Sequence, residues 1–198
     1  MARDDVQDRI AETARAMDTE LLAMIAGGDQ SALNQFFMRH RTGVFRFIAR
    51  LTRNEAVAEE LTNETFLEVW RHANRFEGRS SPSTWLLSIA RNRTISALRK
   101  RREETWDETA ADRLEDDRDT PDITAQKTDK AALLRQCIAA LSPEHAEVIG
   151  LVYYQEKSVA EVSEITGVAE ATVKTRMFYA RKKLSEILKE NGVDRGWP

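Results

Sequence analysis

Over residues 158–190 the apolar positions fall into two helical stripes separated by a glycine. Val159, Val162 and Ile165 recur at three-residue steps. That spacing puts them on one face of a short helix. Ser158 followed by Glu161 is the capping-box signature that opens such a helix. Gly167 supplies the turn, where any side chain is costly at positive φ. Val173, Met177, Ala180 and Leu184 then recur at three- and four-residue steps and predict a second helix from near Ala169. Lys174, Thr175, Phe178, Arg181 and Lys182 fall largely off that stripe. Long and hydrogen-bonding side chains of this kind serve a groove-entering helix on phosphates and base edges. A helical hairpin with a solvated basic face is the plainer alternative. The coincidence of cap, turn and basic face favours a DNA-reading helix-turn-helix.

The same periodicity covers most of the chain. Thr19–Ala26 reads as a short helix stopped by Gly27 and Gly28. Gln30–Thr52 follows, with Leu33, Phe36, Phe37, Val44, Phe45 and Ile48 on its apolar side. Asn54–Asn74 is a third helix, N-capped by Asn54, with Val57, Leu61, Phe66, Leu67 and Trp70 inward. A fourth starts at Ser81-Pro82 and runs to about Arg102, burying Trp85, Leu86, Ile89, Ile95 and Leu98. A second unit is predicted as helices near 128–140, 143–155, 158–166 and 169–190, with Ser142-Pro143-Glu144 as a start signal. The expected fold class is all-α, in two small helical domains. Their bounds are 18–102 and 127–190, joined by an acidic linker at 103–126.

Composition narrows the function. The chain has 198 residues, with only eight Gly and four Pro, too few for a turn-rich β fold. No apolar run is long enough to span a bilayer. The acidic N-terminus lacks the apolar core of a signal peptide. A cytoplasmic protein without membrane insertion is expected. Cys137 is the single cysteine, so no intrachain disulfide forms. His40, His72 and His145 lack ligand spacing, so neither a metal site nor a cofactor is expected. The net charge of −3 divides unevenly, as +4 over 1–102, −8 over 103–126 and +1 over 127–198. The overall acidity therefore conceals basic surfaces.

The segment AEELTNETFLEVWRHANRFEGRSSPSTWLLSIARNRTISALRKRR, Ala58 to Arg102, resembles the second conserved region of extracytoplasmic-function bacterial sigma factors. The run LSPEHAEVIGLVYYQ with the helix-turn-helix after it resembles their fourth region. Together the resemblances cover most of residues 18–190. They imply a transcription initiation factor that binds core RNA polymerase and promoter DNA, often under an anti-sigma factor.

The resemblance assigns residues to three surfaces. Glu60, Asn63 and Glu64 fall at positions that meet the polymerase clamp helices. Relatives more usually carry Asp and Gln at the first two. The loop Phe76–Ser83, with Gly78, Arg79, Ser80 and Ser81, falls where an unstacked base of the minus-ten element is captured. The helix after it offers Asn92, Arg93 and Ser96, the last often Asp in relatives, and then Arg99 and Lys100. Arg99–Arg102 fit phosphates better than bases. Trp85 is better read as core than as a stacking platform. Thr172, Lys174, Thr175, Phe178 and Tyr179 fall where the minus-thirty-five element is approached, with Arg181 and Lys182 beyond. Lys174 fits a guanine edge or a phosphate. Phe178 fits a thymine methyl, and Arg176 a bracing or backbone role.

A stand-alone helix-turn-helix regulator is the alternative function, and the first-domain resemblance counts against it. A helical hydrolase or nuclease finds no acid–base pair, phosphate-cradling loop or metal spacing to support it.

Overall fold

The computed structural model describes residues 2–107, 133–134 and 136–191, and all regular structure among them is helical. The elements are α1 (Ala2–Ala26), α2 (Gln30–Thr52), α3 (Glu55–His72), α4 (Pro82–Asp107), α5 (Pro143–Ile149), α6 (Val159–Thr166) and α7 (Glu170–Glu190). A 3₁₀ turn, Ala73–Arg75, follows α3, and a π turn, Gly150–Tyr154, extends α5. Residues 133–134 and 136–139 are helical as well.

The helix starts follow local chemistry. The Asp29 carboxylate accepts the N–H groups of Ser31 at 2.8 Å and Ala32 at 3.1 Å. Asn54 Oδ1 accepts the Val57 N–H at 3.0 Å. Ser142 caps α5 with Pro143 in its first turn. Ser158 and Glu161 complete both bonds of the capping box. Each such cap stabilises its helix by about 1 kcal/mol.

Two boundaries differ from the sequence reading. α1 begins at Ala2, not Thr19. The Thr19 hydroxyl donates back to the Arg15 carbonyl at 2.9 Å instead of capping a new helix. Asp18 is buried, accepting from Arg39 Nε at 2.8 Å with His40 Nε2 at 2.9 Å. α4 continues to Asp107, past Arg102, with Glu103 at 3.8 Å from Arg99. The rest of the acidic segment, 108–126, and positions 128–132 and 135 of the expected helix 128–140 lie outside the described residues.

The core gathers Leu22 and Ile25 of α1, Phe36, Phe47 and Ile48 of α2, Leu61, Phe66 and Val69 of α3, and Leu86 and Ala90 of α4. The same cluster continues into Val148, Leu151, Val162, Ile165, Val173 and Met177. The helix-turn-helix thus shares a core with the first half of the chain. A second cluster, with Cys137, Ile138, Leu141, Ile149, Ala180 and Leu184, joins the 133–139 stretch to α5 and α7. Burial pushes the Cys137 thiol up from its ordinary pKa. Leu67 and Ile95, read as inward, are instead 51% and 42% exposed.

Candidate nucleic-acid interface

α7 presents the predicted face. Val173, Met177, Ala180 and Leu184 are buried. Thr172, Lys174, Thr175, Phe178, Tyr179, Arg181 and Lys182 are exposed. Gly167 closes α6 at φ +70°, a region that side chains disfavour. The Ser163 hydroxyl donates to the Val168 carbonyl at 2.6 Å and stiffens the turn. Phe178 and Tyr179 meet edge to face at 5.4 Å. Phe178 is 63% exposed, a large apolar surface for a solvent position. The Thr175 hydroxyl donates to the Ala171 carbonyl at 2.9 Å. Its proton is therefore committed, while its lone pairs stay available. Lys174 is 3.7 Å from Glu170, and Arg181 lies over the Tyr153 ring at 5.7 Å. Arg176 is half-buried and helps lower the Glu144 pKa, behind hydrogen bonds from the Glu144 N–H and Ser142. That position fits a brace.

The loop before α4 is anchored by aromatics. Phe76 and Trp85 pack at 5.5 Å, and both lie half-buried against the core, which is the expected role of Trp85. Gly78 and Arg79 are exposed, with Arg79 paired to Glu77 at 2.7 Å. Ser80 and Ser81 are half-buried. Along α4, Asn92 and Ser96 are exposed one turn apart. Arg99 and Lys100 are exposed further along.

Arg93 bridges back to α3. It bonds the Glu68 carboxylate and lies 3.8 Å from Glu64. The Arg93 hydrogen bond, chiefly, holds the Glu68 carboxyl below its ordinary pKa. One ion cluster therefore connects a residue assigned to DNA with one assigned to polymerase. Glu60 and Asn63 are exposed and Glu64 half-exposed. With Leu67 they sit at three- and four-residue steps, on one face of α3. The spacing of Leu67 fits the apolar stripe equally well, yet its side chain is exposed. Beside this face is a 330 Å³ hollow lined by Phe37, Arg41, Thr42, Phe45, Glu59, Thr62 and Asn63.

The junction of the two halves carries polar contacts that no local spacing revealed. Arg91 Nε donates to Glu147 at 2.7 Å, and Glu147 is 5% exposed. Gln155 Nε2 donates to the Gly43 carbonyl at 2.9 Å. A Cβ on Gly43 would lie 3.3 Å from that Gln155 side chain, so a glycine lets α2 approach. Arg53 donates to the Ala139 carbonyl at 2.7 Å, and Arg50 stacks on Tyr154 at 3.8 Å. Glu161 accepts the Thr84 hydroxyl at 2.6 Å and lies 3.1 Å from that of Ser81. Burial raises its pKa, but hydrogen bonds from Thr84 and Ser158 and the Lys157 charge outweigh that and bring it to about 2.

Among the described residues no helix is long and apolar enough to cross a membrane, and no His/Cys/Asp/Glu group could hold a metal.

A helical body sharing its core with an exposed basic helix-turn-helix defines a DNA-binding protein of transcription. Residues 36–104 match the family model of Sigma-70 region 2, and residues 131–184 that of Sigma-70 region 4. The chain is 32% identical over 171 residues to the ECF RNA polymerase sigma factor SigL of Mycobacterium tuberculosis, covering 86% of this chain and 96% of that one. It is 30% identical over 174 residues to SigK of Mycobacterium bovis, covering 85% and 91%. It therefore belongs to the extracytoplasmic-function RNA polymerase sigma factors. The sigma factor RpoE in complex with the anti-sigma factor NepR from Bartonella quintana superposes with a TM-score of 0.64 at 26% identity, over 82% of this chain and 98% of that one. CnrH in complex with the cytosolic domain of CnrY shares the fold, with a TM-score of 0.65 at 22% identity over 88% and 98%.

Proposed function

We propose that this chain is an alternative sigma factor that binds core RNA polymerase in the cytoplasm, directs it to particular promoters and is held in check by an anti-sigma factor. The observation that carries this reading is the order of two family matches, region 2 before region 4, on one helical chain. The anti-sigma partner is supported by the relative solved with NepR. The chain catalyses nothing itself; the polymerase does the chemistry.

Residues 18–102 take the polymerase and the minus-ten element, residues 103–126 join the halves, and residues 127–190 take the minus-thirty-five element. Glu60, Asn63 and Glu64, extended by Leu67, face the polymerase. Their two carboxylates and amide suit an arginine-rich helix, with Leu67 as an apolar anchor. Gly78, Arg79, Ser80, Ser81, Asn92, Arg93, Ser96, Arg99 and Lys100 serve the melted strand, and the exposed residues of α7 serve the upstream duplex.

The test is binding to purified core RNA polymerase. The wild-type chain should co-elute with core. Glu60→Lys with Glu64→Lys should abolish co-elution while the circular dichroism stays helical. A wild-type chain that binds duplex DNA but never core would instead favour a stand-alone regulator.

A further inference from the structure

Glu161 serves its own helix with one carboxylate oxygen and the other half of the molecule with the second. Oε2 accepts the Ser158 N–H at 3.1 Å and the Ser158 hydroxyl at 3.0 Å. Oε1 accepts the Thr84 hydroxyl at 2.6 Å and the Lys157 ammonium at 3.2 Å. The Ser81 hydroxyl, 3.1 Å from Oε1, also lies 2.7 Å from that of Thr84. Lys157, only 9% exposed, donates to Ser83 at 2.6 Å as well. A capping box requires only the first of these two sets.

The second set gathers at the amino end of α4. Ser81 precedes the helix, and its oxygen accepts the Thr84 N–H at 3.2 Å. Ser83 and Thr84 lie in the first turn. The helix dipole favours an anion there. Glu161 is the anion present, and Thr84 is wholly buried beneath it. Hydroxyls at a helix start are equally the donors that a nucleic-acid phosphate takes.

We propose that Glu161 is an internal competitor for a DNA backbone phosphate at Ser81, Ser83 and Thr84. Docking of the helix-turn-helix on the first half and binding of the melted strand then exclude one another. This rests on the promoter-factor reading, which places the melted strand at the loop ending in Ser83. It adds the phosphate site, its occupant in the closed molecule and the order of events: the halves part before the strand binds. Lys157 keeps Glu161 charged and aimed, and leaves with it.

Full-length variants separate the two roles of the site. Glu161→Gln keeps the side-chain shape and removes the charge. It should enlarge the radius of gyration in small-angle X-ray scattering. It should also tighten binding of a mixed-sequence single-stranded oligonucleotide of about 20 nucleotides by about three- to tenfold at fixed salt. Ser81→Ala with Thr84→Val should enlarge the molecule similarly, yet bind that strand more weakly than Glu161→Gln. Equal gains in the two variants, or no change in size or affinity for Glu161→Gln, would overturn the proposal. Scattering from wild type saturated with the oligonucleotide checks it without substitution: expansion is expected, and a compact complex refutes it. Core polymerase binding on the same samples tests the parent reading separately. Intact core binding with flat strand affinities refutes the competition alone.

Discussion

Lys174 is exposed on α7 beside the buried stripe of Val173 and Met177, with its ammonium 3.7 Å from Glu170. Its exposure follows from periodicity and was legible in the sequence; whether it meets a base or a phosphate was not. Lys174→Ala should weaken binding by about 1–3 kcal/mol and relax preference at one upstream base pair if the contact is to a base edge. Uniform weakening with a shallower salt dependence marks a phosphate contact. Binding titrations on single-base-pair variants decide. Glu161 was read only as a cap, because Thr84 and Ser81 lie far from it in sequence. Its depressed pKa carries a sign. The stabilisation is complete above the ordinary carboxylate value of 4.5 and is lost as pH falls toward about 2. In chemical denaturation, wild type should lose roughly 1–3 kcal/mol more than Glu161→Gln between neutral pH and the acid end of that window. Equal losses would deny that carboxylate its role.

At the scale of elements, helix existence and start were legible wherever a cap and a stripe agreed, as at Asn54, Ser142 and Ser158. α1 was not, because Asp18-Thr19 has the chemistry of a helix start. A distant partner decides the matter: Asp18 turns inward to Arg39 and His40. Burial raises the Asp18 pKa, but the His40 hydrogen bond and charge, with those of Arg39, outweigh it, and the carboxyl sits below its ordinary value. Asp18→Asn should therefore destabilise the fold by about 1–3 kcal/mol, read as a lower denaturation midpoint. An unchanged midpoint would mean that α1 is held by Leu21, Leu22 and Ile25 alone. Leu67 and Ile95 escaped for a related reason. Spacing shows that a residue shares the apolar stripe, but not where the neighbouring helix stops covering it.

At the scale of the molecule, the sequence divides the chain into two helical units, whereas the core runs through both. Val148, Leu151, Val162 and Ile165 are apolar in the pattern, but nothing local says that the first half covers them. The Arg91–Glu147 pair and the close approach at Gly43 are likewise products of the junction. The central claim is that this chain makes core polymerase start at chosen places. The most direct measurement maps transcript 5′ ends made by core RNA polymerase, with and without the chain, on fragmented DNA of its own host. The account predicts a restricted set of new starts, sharing an upstream and a downstream element, that disappears with Glu60→Lys and Glu64→Lys. Starts unchanged by the chain, from a core preparation shown to be active, would contradict it.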